Sequence, residues 1–202
     1  MCGISGFINR QKEKAKEEII LKMVEAIRHR GPDGRGIFID RYMALGHARL
    51  AIIDLTNKGA QPMHSKDGNW TVVFNGCIYN FKEIRTELQH LGHQFISQTD
   101  TEVIVEGLAA WGTEIFPRLN GMFAVGAWHW PTETLYLSRD RFGVKPLYYT
   151  ITSEAIIFGS EIKAILAHPS YKMALNYYAL NEYFTFQNLF TFQTLFKGVY
   201  LL

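Results

Sequence analysis

Over two long parts of this chain, stretches of strand length follow one another with only turns between them. No other feature of the sequence restricts the fold as much. GIFID (36–40), YMALGHARLAIID (42–54) and WTVVFNG (70–76) form one run. GMFAVGAWHW (121–130), TLYLSRD (134–140), LYYTI (147–151) and AIIFGS (155–160) form the other. CGISGFIN (2–9) reads as a further short strand whose glycines permit close backbone approach. Helical periodicity intervenes only a few times. Ile19, Ile20, Met23, Val24 and Ile27 recur at helical spacing between Lys14 and His29. YNFKEIRTELQHLG (79–92) is a second helix closed by Gly92, and TDTEVIVEGLAAWG (99–112) a third, with Thr99 and Glu102 spaced as a capping box. EIKAILAH (161–168) is a short fourth. Strands in runs, broken by few helices, predict antiparallel sheets with helices on their outer faces and not a doubly wound parallel sheet.

At 202 residues the chain is one large domain, or one domain and part of another. A hydrophobic fraction of 48% with 20% charged residues suits a globular core, and a formal net charge of +2 gives no support for nucleic acid or a membrane surface as partner. No apolar run reaches the ~18 residues of a membrane span, and the start lacks the basic and apolar regions of a secretory signal. Cys2 and Cys77 are the only cysteines, which is no disulfide framework, so a reduced, cytoplasmic protein is expected. The tail from Leu175, LNYYALNEYFTFQNLFTFQTLFKGVYLL, is rich in aromatics and shows no cap or closing turn. It reads as an element of something larger.

Four places in the sequence could carry chemistry. Cys2 stands directly behind the initiator Met, and removal of Met1 would put a thiol and a free α-amine on one residue, a nucleophile with its own base. The α-amine titrates near ~8 and the thiol near ~8.5, so proton exchange between them at neutral pH is easy. The alternative is an incidental small residue at a frayed terminus. Asn75-Gly76, in FNGCIYN, is either a hairpin turn or an oxyanion hole built from one side-chain amide and one backbone N–H. Arg49, in an otherwise apolar strand pattern, is either a solvated edge charge or a guanidinium fork for a carboxylate. Asp100 is a helix N-terminal acid by default and could also pair with a substrate ammonium. A cationic and an anionic grip together would select an amino acid. His29 lacks the neighbours of a metal ligand, and the seven histidines read as structural or surface. SRDRFGVKPLYY is basic but has no glycine-rich phosphate cradle, and neither GxxxxGK[ST] nor GxGxxG occurs.

Nine segments, in order from residue 2 to about residue 168, resemble the glutaminase domain of glutamine-hydrolysing asparagine synthetases: CGISGF, RHRGPD, GHARLAIIDL, GAQPM, FNGCIYN, TDTEVI, LNGMFA, SRDRFGVKPLYY and FGSEIKAIL. The resemblance implies a class II glutamine amidotransferase with the N-terminal-nucleophile hydrolase fold, an α+β, four-layer αββα sandwich of two antiparallel sheets. By the same resemblance Cys2 attacks the glutamine side-chain amide, Asn75 and Gly76 hold the oxyanion, Arg49 binds the α-carboxylate and Asp100 the α-amine. Ile52 and Ile53 contribute pocket contacts. A glutamyl thioester forms, glutamate is released, and ammonia passes to activated aspartate in a C-terminal synthetase domain. Residues 169–202 then correspond to a linker and the beginning of that domain. Its SGGxDS motif is absent from this chain, so ATP and Mg²⁺ are expected only there and the glutaminase domain itself needs no cofactor. A homodimer is a further expectation.

One residue departs from the family pattern. NGEIYN is usual, and this sequence has Cys77 where the acid is expected. The acid helps to bind the substrate ammonium, so its loss implies weaker glutamine binding. Cys77 also introduces the possibility of a disulfide with Cys2. Two other readings stay open: a non-catalytic or weakened amidotransferase-like domain, and an amidotransferase with another acceptor.

Overall fold

The runs of strands become two sheets, and the alternation within each strand decides which side chains lie between them. The computed structural model describes residues 1–202. In chain order the elements are β1 (Gly3–Asn9), α1 (Glu17–Ala26), β2 (Gly34–Asp40), β3 (Met43–Arg49), β4 (Met63–His64), β5 (Trp70–Ile78), α2 (Phe81–His90), α3 (Asp100–Trp111), α4 (Ile115–Arg118), β6 (Gly121–His129), β7 (Thr134–Arg139), β8 (Tyr148–Ile151), β9 (Ala155–Gly159), α5 (Ile162–Leu166), α6 (Tyr177–Phe186) and β10 (Val199–Leu201). One sheet has six strands in the order β10-β8-β9-β1-β3-β2, the other four in the order β4-β5-β6-β7, and every pairing is antiparallel.

Three buried clusters define four layers. Phe7, Ala44, Ala48 and Ile157, on one face of the six-stranded sheet, pack against Ile20, Met23, Val24 and Ile27 and against Ala164 and Ile165 of α5. Ile4, Met43, Leu45 and Phe158, on its other face, meet Val73, Ala124 and Trp128 of the four-stranded sheet. The far face of that second sheet carries Val72, Phe74, Ile78, Phe123 and Val125, covered by Ile84 and Leu88 of α2 and Val103, Ile104 and Leu108 of α3. The order is therefore helix, sheet, sheet, helix. Each fully buried Leu, Ile or Phe contributes roughly 1.5–3 kcal/mol through removal from water. Phe158 shows how closely the two sheets approach: its ring lies 2.5 Å from where a Cβ on Gly6 would stand and 2.7 Å from one on Gly126. The two glycines leave the space that the ring fills.

Three local expectations change. The strand read through to Asp54 ends at Arg49, because Leu50–Thr56 turns away and is pinned by side chains. The Asp54 carboxylate accepts from Thr56 N at 2.8 Å and Gln98 N at 3.1 Å, while Asp33 accepts from Ala51 N at 2.9 Å. Only half of the capping box forms. Thr99 Oγ1 accepts from Glu102 N, but the Glu102 carboxylate turns to Ile96 N and Ser97 N at 2.8 and 2.7 Å, closing the preceding loop instead. The aromatic tail, read as uncapped, has a cap after all: Asn176 Oδ1 accepts from Ala179 N, and Gln187 ends α6 in the left-handed region at φ 55°. Within 169–202, β10 pairs with β8 at the edge of the six-stranded sheet.

Candidate active site

Strand register places the candidate residues before any side-chain detail is needed. On β1, Gly3 faces Ala48 and Ile4 faces His47 across β3. One step further along the same register sets Cys2 opposite Arg49. Because Ile4, Met43 and Leu45 point between the sheets, alternation points Cys2, His47 and Arg49 the same way. On β5 the same inner face carries Val73, and hence Asn75 and Cys77. The two inner faces meet in a cavity of about 310 Å³. Cys2, Arg49, Asn75, Gly76, Cys77 and Asp100 line it, and Ile52 and Ile53 reach it from the exposed 50–56 loop. All eight residues singled out from the sequence thus border one cavity.

Cys2 is held by the strand end it faces. Its Sγ accepts from Leu50 N at 3.3 Å and lies 3.4 Å from Leu50 O, to which the thiol donates. Burial pushes the thiol pKa up; the Leu50 backbone, the chain's amine and the Arg49 guanidinium oppose it. The Cys2 carbonyl accepts from Arg30 Nε at 2.9 Å, and Arg30 is fixed in turn by Glu161 at 2.9 Å. Met1 precedes the nucleophile candidate and its side chain lines the same cavity.

Asn75-Gly76 is not a turn, because β5 runs on to Ile78 in unbroken register with β6. The register also shows where the Gly76 N–H points. Phe123, opposite Gly76, uses its N–H on Asp140 Oδ2 and its carbonyl on Asp140 N, so the Gly76–Phe123 pair exchanges no hydrogen bonds. The amides of Phe74, Gly76 and Ile78 therefore point away from β6. Phe74 N donates to Gln61 Oε1 at 2.6 Å and Ile78 N to Asp100 Oδ2 at 3.0 Å, and the Gly76 N–H lies between them on the cavity side. Asn75 is 1% exposed, and its Nδ2 has no hydrogen-bond partner. A buried amide N–H₂ left unpaired is expensive unless something arrives to accept from it. Gly76 also has to be glycine, since a Cβ would stand 2.3 Å from Met122 O.

The charged groups flank this pair of donors. Arg49 Nη2 donates to the carbonyls of Asp54 and Thr56, both at 2.7 Å, which orients the guanidinium and ties down the loop carrying Ile52 and Ile53. Asp100 opens α3 as expected; burial raises its pKa against the opposing backbone N–H of Ile78. Cys77 is a free thiol, as is Cys2. Burial raises the Cys77 pKa, the Asp100 charge adds to the rise and Lys145 opposes it. His47 and Lys145 are among the cavity residues that the sequence did not single out. His47, taken as structural or surface, is buried in the wall, and burial reinforced by the Arg49 charge pulls it down to about 3. It is neutral at physiological pH. Lys145 lies in SRDRFGVKPLYY, read only as a basic stretch without a phosphate cradle, and the lone Lys within the apolar GVKPL segment was the available signal. No three His, Cys, Asp or Glu side chains converge as metal ligands would.

A family model described as "Glutamine amidotransferase domain" matches residues 1–202. "Asparagine synthetase [glutamine-hydrolyzing] 3" of Bacillus subtilis is 38% identical over 185 residues, covering 90% of this chain and 30% of that protein. A putative asparagine synthetase of Methanocaldococcus jannaschii is 41% identical, over 83% of this chain and 35% of its own length. The chain thus spans about a third of the length of these relatives. Among solved structures, the glutamine phosphoribosylpyrophosphate amidotransferase of B. subtilis superposes with a TM-score of 0.69 at 21% identity, over 82% of this chain and 43% of that one. That likeness is one of fold.

Proposed function

This chain belongs to the glutamine amidotransferase domain family, and on that premise we propose that it hydrolyses glutamine to glutamate and ammonia with Cys2 as nucleophile. After Met1 is removed, the new α-amine takes the thiol proton and Sγ attacks the side-chain amide carbon. The carbonyl electrons move onto oxygen, which Asn75 Nδ2 and the Gly76 N–H receive. As the tetrahedral intermediate collapses, the α-ammonium gives its proton to the departing nitrogen and ammonia leaves a glutamyl thioester. Water, deprotonated by the same amine, then releases glutamate. Arg49 takes the substrate α-carboxylate and Asp100 its α-ammonium, with Ile52 and Ile53 closing one side. The observation that carries the reading is the pair of uncommitted donors, Asn75 Nδ2 and Gly76 N–H, in the cavity that holds the Cys2 thiol. Acid quenching during turnover tests it: intact mass should show a glutamyl adduct confined to the peptide carrying Cys2. An adduct elsewhere, or none in a turning-over sample, would refute the covalent route.

The names of the relatives suggest the destination of the ammonia, an ATP-activated aspartate in a C-terminal synthetase domain. ATP and Mg²⁺ would be bound there and not by this domain. Cys77 bears on substrate binding. With Asp100 but no second acid at position 77, the ammonium grip is weaker than two acids would make it. A charge-assisted hydrogen bond contributes ~1.5–3 kcal/mol. Cys77→Glu is expected to lower the glutamine KM by roughly tenfold or more, with kcat little changed, in steady-state assays of glutamate release. An unchanged KM would show that residue 77 does not contact the ammonium.

A further inference from the structure

Lys145 is 4% exposed, yet it has no carboxylate within ion-pairing distance. Asp140, the nearest acid in sequence, is committed elsewhere: its carboxylate accepts from Phe123 N at 3.1 Å, Val144 N at 2.8 Å and Lys145 N at 3.0 Å. The Lys145 Nζ reaches into the cavity and donates to the sulfur of Met1, the residue whose removal the proposed mechanism requires. Buried cations are ordinarily paired, so an unpaired one at a cavity wall calls for a negative charge that forms there.

Of the other groups facing the cavity, only the thiols are free to supply such a charge. Arg49 is turned toward the Asp54 and Thr56 carbonyls, and Arg30, nearby, is paired with Glu161. His47 is neutral, Asp100 is engaged by Ile78 N, and the Asp54 carboxylate by Thr56 and by Gln98 N. That leaves the thiols of Cys2 and Cys77. We propose that Lys145 is a further residue of the active site, whose ammonium stabilises the Cys2 thiolate once the Sγ proton has passed to the α-amine. A desolvated ammonium does this more strongly than one in water, because the local dielectric is low. The electrostatics agree: burial and the Arg30 charge lower the Lys145 pKa, whereas Asp140 and both thiols raise it, so the thiols lie within its field. The proposal rests on the reading of Cys2 as nucleophile.

The test needs no glutamine. In Met1-free protein carrying Cys77→Ser, Cys2 is the sole thiol, and its alkylation by iodoacetamide is followed by intact mass from pH 5 to pH 10. Lys145→Met should raise the midpoint of the pH profile by about one unit, slowing alkylation below the midpoint roughly tenfold, whereas Lys145→Arg should leave it nearly in place. An unchanged midpoint in folded Lys145→Met, or an equal shift in Lys145→Arg, overturns the proposal. Should the variants fail to fold, the unmutated chain decides. Alkylating Cys2 should lower the Lys145 ammonium pKa read by NMR, and an unchanged value overturns the proposal equally. A chain that shows the Lys145 effect but releases no glutamate would refute the glutaminase reading alone.

Discussion

Asn75→Ala is expected to lower kcat for glutamine hydrolysis by about 10²–10³-fold, the usual loss when one oxyanion donor is removed. The glutamine KM should change little, because the donor meets a charge that exists only in the tetrahedral intermediate. Folding stability should also suffer little, since Nδ2 has no partner within the protein to lose. This combination separates an oxyanion donor from a structural amide, whose removal would lower the thermal midpoint and leave kcat alone. Steady-state kinetics beside thermal unfolding make the distinction.

Acid should destabilise the fold well before its carboxylates titrate. His47 and His168 are buried and neutral, with burial as the main cause, and their pKa values fall to about 3 and about 4. In the unfolded chain both return to ~6.5, so below that pH the unfolded state takes up protons that the folded state refuses. Stability is full above pH 6.5 and declines as the pH drops toward the folded values. Between pH 7 and pH 5 the loss is about 2 kcal/mol for each histidine, or roughly 4 kcal/mol together, a large share of the 5–15 kcal/mol that holds a typical domain. Burial lowers His64 as well, which acts in the same direction. His168 lies away from the cavity, packed edge-on against Phe7 with Nδ1 on Ser170, so His168→Gln isolates one share. Urea unfolding at the two pH values should show the wild-type difference roughly halved in the variant. An undiminished difference would assign the acid sensitivity to other groups.

Much of the architecture could be read from the sequence because it follows from local period. The strand runs, the helices α1, α2, α3 and α5 and the outer placement of helices all follow from alternation at two and at three to four residues. What could not be read depends on partners distant in sequence. The end of β3 at Arg49 is set by Asp33, Asp54 and Gln98, and β10 finds β8 some fifty residues before it. Half of the capping box was lost because Glu102 had better donors in the preceding loop. The cavity shows the same division. Asn75 and Cys77 share a face by period two, whereas Lys145 comes to Met1 across 144 residues of sequence. His47 looks from its sequence like any strand histidine, and only burial makes it a neutral wall.

The most direct test of the central claim is glutamate release from glutamine by protein whose intact mass shows Met1 removed, compared with Cys2→Ala and with protein that retains Met1. Activity is expected in the first preparation and none in the other two. Hydrolysis at an equal rate by the Met1-retaining chain would remove the α-amine from the mechanism, and activity in Cys2→Ala would remove the nucleophile.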